Sequence, residues 1–198
     1  MRGVKVLLLL SGGVLISTFG AQSLASTPLP YGWYVEGNAG ASYLSKKSYP
    51  GSASTSKFGG NFNFGYKFMP NFTAEVGYSR YGSTNIKDSA GTNAATDQHY
   101  ALDLAGKGIF PFSADGDVFA KLGVADVFSN VGINNSGAAD ALGISSGKHS
   151  ATGFYLGLGA EYYFTSTFGG NIQWARASGN SQTGTLSLYS IGLSYIFG

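Results

Sequence analysis

Charged residues are few in this chain, and seven of them sit where they could act on one another. Glu36, Glu75, Asp103 and Glu161 supply carboxylates; Lys67, Lys107 and Lys121 supply ammonium groups. Each lies on the phase opposite the large apolar residues of its stretch, so each points to the polar side of its segment. Four acids beside three bases can do one of two things. They can pair and fill a narrow interior, since buried charges need partners, or they can line an ion path or gate. The paired interior is the preferred reading. A second set is His99, His149 and Ser150. A histidine with a serine and an acid could make a hydrolytic triad. Glu161 falls at the far end of its segment from His149, so the histidines read instead as solvated loop residues. Gly59-Gly60 and Gly157-Leu158-Gly159 are not followed by a helix, so they cannot cradle a phosphate. They read as small residues that let strands curve and pack.

The segments that carry these residues alternate with a period of two, which predicts strands. Eight are expected, over residues 32–44, 58–68, 72–81, 99–110, 117–127, 151–164, 168–175 and 185–198. In the last, Tyr189, Ile191, Leu193, Tyr195 and Phe197 form a large apolar face, while Ser190, Gly192 and Ser194 on the other phase are small. The same alternation sets Phe62, Phe64, Tyr66 and Phe68 against Asn61, Asn63 and Lys67. Connections alternate in length: short at 69–71, 111–116 and 165–167, long and polar near 45–57, 82–98, 128–150 and 176–184. That is the rhythm of a transmembrane barrel with short turns on one side and long loops on the other. Aromatics gather at both ends of the strands, as interfacial girdles do. Arg80 and Arg176 fall at the loop-side rim, where lipopolysaccharide phosphates are candidate partners.

Composition narrows the class. Only 11% of the residues are charged, against roughly 25% in soluble domains, too few to coat a water-facing barrel. No stretch beyond the N-terminus approaches the ~20 apolar residues of a helical span, and a closed barrel is the other structure that satisfies its backbone within a bilayer. Residues 1–25 read as a secretory signal peptide, with Arg2 and Lys5 before an apolar core and Ser23 and Ala25 before a cut; cleavage after Ala21 or Ser23 stays open. Without them the chain carries ten basic and ten acidic residues, which gives no reason to expect nucleic acid. Cysteine is absent, so no disulfide holds the exported domain, residues 26–198, together. No cofactor is called for.

The stretches GWYVEGNAG, MPNFTAEVGY, GKGIFPF and GLGAEYYFT, with the closing strand, resemble the OmpA-like family of eight-stranded outer-membrane barrels across essentially the whole mature chain. The resemblance implies an all-β, antiparallel up-and-down barrel; the even strand count puts both termini in the periplasm, and the chain reads as a monomer. It implies lipid and lipopolysaccharide as surroundings and the barrel assembly machinery as a partner, which reads the terminal aromatics Tyr195 and Phe197. The family often has an inward Arg on its penultimate strand, where Asn171 stands. Its full-length members add a peptidoglycan-binding domain, which is not expected in this chain, so wall anchoring is not carried over. The expected work is envelope integrity and display of surface loops, with adhesion or host contact as one use of them. A lipid A-modifying enzyme such as a deacylase is the alternative, and a narrow pore comes third.

Phe197→Ala should lower the outer-membrane level of the protein more than deletion of Gly198 does. Equal levels of both variants and wild type, read by quantitative blotting of membrane fractions, count against the signal.

Overall fold

In the computed structural model, which describes residues 31–197, period-two alternation becomes a closed ring. The signal-peptide reading and Gly198 lie outside the described residues. Eight long strands make the wall: β1 (Gly32–Ser45), β3 (Ser56–Met69), β4 (Phe72–Arg80), β6 (Asn93–Pro111), β7 (Gly116–Ile133), β8 (Gly147–Tyr163), β9 (Phe168–Ala177) and β10 (Thr185–Ile196). Each pairs antiparallel with its sequence neighbour in the wall, and β1 pairs with β10 to close the barrel. Two short strands, β2 (Ser52–Ala53) and β5 (Thr84–Lys87), add a flap at the loop end. There β5 runs along residues 93–97 of β6, and β2 pairs with β5.

All four of the expected long loops are therefore partly strand. Residues 82–98 hold β5 and the start of β6, and residues 128–150 hold the top of β7, a short helix α1 (Ser136–Ala141) and the start of β8. The polar composition of these stretches suits water on both faces, and the ladder from Ala95↔Ile133 down to Pro111↔Asp117 keeps their backbone paired. Asn135 caps α1, its side-chain oxygen accepting from Ala138 N at 3.0 Å. Ala138 and Ala139 then pack on Ala94. The barrel rim is consequently tall along β6, β7 and β8.

Closure sorts every strand into two faces. Ile191 is 69% exposed on the outside, whereas Leu188, three residues earlier on the other phase, is fully buried within. The outer face carries Trp33, Phe62, Phe64, Leu104, Leu122 and Leu158, as a lipid-facing band requires. Small inward residues make room for long ones. The ring of Tyr34 lies over Gly65, and the Lys121 stem lies against Gly157. Phe119 fills the space beside Gly159.

Gly40 shows how tight the seam is. A Cβ there would stand 1.9 Å from the Tyr189 carbonyl oxygen on β10, and a backbone atom cannot step aside. On Gly106 the nearest atom would be 4.0 Å away. Gly40→Val should therefore cost at least about 1–3 kcal/mol in urea unfolding from detergent micelles, and Gly106→Ala should stay within about 0.5 kcal/mol of wild type.

Candidate functional site

The inward phase brings the charged residues together near the turn end of the barrel. Glu36 on β1 is fully buried. Its Oε1 accepts from Asn38 Nδ2 (2.8 Å), Asn63 Nδ2 (3.0 Å), Gln173 Nε2 (3.0 Å) and Lys121 Nζ (3.2 Å). Its Oε2 faces Lys107 Nζ at 3.4 Å. Lys107 also meets Glu161 at 3.2 Å and Glu75 at 3.8 Å, and Lys121 meets Glu75 at 2.9 Å. Ser194 donates to Glu161, and the Tyr34 hydroxyl donates to Glu75.

Lys107 and Lys121 stand directly opposite one another on β6 and β7. Like charges in that position repel, and the three surrounding carboxylates offset the repulsion. The Phe119 ring does so too, with its centroid 4.2 Å from Lys107 Nζ and 5.3 Å from Lys121 Nζ. Two of the seven candidates stand apart. Asp103 is buried on the same lumen face yet has no ion pair among the described residues, and neither of its oxygens has a hydrogen-bond partner. Lys67 is buried with no carboxylate within 4.0 Å among the described residues; Asp117 and Glu161 are the acids whose charge reaches it. Asn171 is buried on the inward phase of β9, and neither of its side-chain polar atoms has a partner.

Sequence reasoning missed a second buried cluster at the loop end. Asp97, wholly buried, accepts from Lys47 Nζ (2.5 Å), Ser129 Oγ (2.7 Å) and Tyr49 Oη (2.8 Å), and lies 3.2 Å from His99 Nε2. His99 is therefore not a solvated loop residue: it is 2% exposed and inside the barrel. The segment bearing Lys47 and Tyr49 is folded over the mouth. Burial first, and then the Asp97 carboxylate, push the Tyr49 phenol well above its ordinary range. The available signal was the spacing Asp97, His99, Ala101, Asp103, which continues the inward phase of β6 upstream of its expected start.

Hydrolytic chemistry finds no support in this arrangement. His149 and Ser150 are consecutive on β8 and so face opposite sides of the wall. In the buried cluster His99 and Ser129 both address Asp97, which puts the carboxylate in the middle. A triad needs the histidine there, between acid and nucleophile. Arg80 and Arg176 lie on the outward phase toward the loop ends of β4 and β9, beside exposed lipid-facing side chains.

Removing one partner of the Glu36 cluster leaves a buried charge uncompensated. Lys107→Glu should lower stability by roughly 3–5 kcal/mol where water is excluded, and less where water enters and solvates the carboxylates. Thermal unfolding in micelles, with single-channel recording on the same variant, measures both routes. An unchanged melting temperature and unchanged conductance would count against the pairing.

The family described as "Outer membrane protein beta-barrel domain" matches residues 11–197. No curated protein matches the chain in sequence. Among solved structures, Neisserial surface protein A (NspA) is similar with a TM-score of 0.60 and 14% identity, over 83% of this chain and 97% of that one. The outer membrane protein OprG of Pseudomonas aeruginosa has a TM-score of 0.58 and 12% identity, over 84% and 97%. Ail, the attachment invasion locus protein of Yersinia pestis, in complex with the heparin analogue sucrose octasulfate, has 0.55 and 12%, over 84% and 99%. At these identities the likeness concerns the fold, which is that of a small transmembrane barrel. The family match and the closed eight-stranded ring agree, and the chain belongs to the outer-membrane protein β-barrel family.

Proposed function

We propose that the protein is a non-enzymatic outer-membrane barrel with an obstructed lumen, whose work is to strengthen the envelope and to display its loop end outside the cell, with both termini in the periplasm. The observation that carries this reading is the fate of its inward chemistry. Most of the inward charged side chains are engaged with one another in two stacked clusters, one on Glu36 and one on Asp97. An eight-stranded barrel has an interior just wide enough for side chains, so these clusters favour a plug over a pore.

Display is supported by the uneven rim and its charge. Lys46, Lys87 and Lys148 are exposed at the loop end. Ail, a barrel of similar fold, was crystallised with a heparin analogue, so a sulfated polysaccharide is the first surface ligand to try on this chain.

Planar bilayers and intact cells test the proposal together. The wild-type protein should show only small conductance, and an epitope tag inserted after Ser145 should be labelled on unbroken cells. A large, stable conductance moves the pore reading to first place. A tag reached only after the outer membrane is opened reverses the orientation. Lipid A of a strain carrying His149→Ala or Ser150→Ala should match wild type by mass; a loss of deacylated lipid A in either supports the enzyme instead.

A further inference from the structure

Asp103, Gly77 and Asn63 stand opposite one another across three adjacent strands, β6, β4 and β3. The two acceptor side chains are buried, Asp103 at 6% exposure and Asn63 at 0%. Both carboxylate oxygens of Asp103 and the Oδ1 of Asn63 lack any hydrogen-bond partner. A Cβ placed on Gly77 would be 2.5–2.6 Å from each of these three oxygens, so they crowd one spot that only the absent side chain leaves open.

The amide cannot turn to relieve this. Asn63 Nδ2 donates to Glu36 Oε1 at 3.0 Å, and a flip would aim its oxygen at that carboxylate. Acceptors are thus held against acceptors with no donor between them. The lysines do not help, since Lys107 and Lys121 are committed to Glu36, Glu75 and Glu161 and neither comes within 4.0 Å of Asp103. Ser79 Oγ, two residues along β4 on the same face, is also unpartnered.

The imbalance extends over a larger volume. The buried lumen below the Asp97 cluster contains Glu36, Glu75, Asp103, Asp117 and Glu161 against Lys67, Lys107 and Lys121. Five carboxyl groups face three ammonium groups, so two carboxyls have no base to pair with in a space where unpaired charge is costly.

We propose that the lumen binds one hard divalent cation of the calcium type, held by the Asp103 carboxylate and the Asn63 side-chain oxygen. Calcium takes carboxylate oxygens in mono- or bidentate fashion together with amide oxygens and water, and the protein oxygens converging beside Gly77 are of those kinds. One such ion supplies positive charge beside Asp103, which has no lysine within ion-pair distance among the described residues. It also gives the buried acceptors their missing partner without disturbing the Glu36 bonds. The proposal stands whether or not the loops bind a surface ligand.

The test is thermal unfolding of the refolded protein in detergent micelles, first in EDTA and then through a CaCl2 titration, with NaCl controls at matched ionic strength. Wild type should show a saturable rise in melting temperature with calcium, the signature of a ligand bound by the folded state alone. Asp103→Asn should lose that response and melt no lower than wild type in EDTA, because the new amide donates to Asn63 Oδ1. Equal melting of wild type in EDTA and calcium overturns the proposal, as does an equal response to NaCl or a calcium response that survives Asp103→Asn. If the variant fails to fold, wild-type crystals soaked with a lanthanide decide the matter. An anomalous peak between Asp103 and Asn63 supports the site, and its absence from an otherwise well-defined map removes it.

Discussion

A carboxylate taken out of water must be surrounded by donors, and in this barrel that constraint centres on Glu36. One side chain from β1 receives hydrogen bonds from Asn38 of its own strand, Asn63 on β3, Lys107 on β6, Lys121 on β7 and Gln173 on β9. Five of the eight wall strands thus meet at a single group. Bonds between neighbouring strands define a sheet; bonds across the lumen hold the closed ring to one width and one register. Replacing such a cluster with apolar side chains can be neutral for stability in other proteins. In a narrow barrel the cluster also fills volume that backbone pairing leaves empty.

The layers above and below follow from that centre. At the turn end Tyr34, Tyr163 and Ile196 close the lumen. Above the charges lies a layer rich in alanine, with Ala101, Ala105, Ala125 and Ala175 packed around Tyr81, Tyr155 and Leu188. Above that, Asp97 gathers Lys47, Tyr49 and Ser129 and ties the first loop into the mouth. Polar and apolar layers alternate along the axis, so continuous water through the lumen would have to cross both.

The wall was legible in the sequence because period-two alternation in a membrane barrel puts large apolar groups on one phase and small or polar groups on the other. Glu36, Glu75 and Lys107 could be assigned to the lumen on that ground alone. Their partners could not, since which lysine meets which glutamate depends on strand stagger around the whole ring. That stagger leaves Asp103 facing Asn63 across Gly77 instead of facing a lysine. Asp97, and with it the partner of His99, was hidden for another reason. The residues around Asp97 are polar and small, which reads as loop, and its strand character comes from long-range pairing with Thr84 of β5 and Val131 of β7. Phe119 shares the inward phase of Lys121, but its place between two lysines depends on the pairing of β6 with β7.

Strand pairing around a closed ring has an arithmetical consequence. Gly40 on β1 is opposed on both sides, by Gly59 of β3 and Ser190 of β10, and no strand of the ring has a free edge into which a slipped register could escape. Because faces alternate one residue at a time, adding or losing a single residue within a strand would turn every later side chain of that strand inside out unless a bulge absorbed it, as at Lys67–Met69 near the turn end of β3. Such a change in β10 would present Ser190 and Ser194 to lipid and drive Leu193 and Tyr195 among the lumen charges. The wall is therefore written in pairs of residues, whereas the loops are written in any number. Sequence drift in such a molecule should accumulate as length changes above the rim and as substitutions below it.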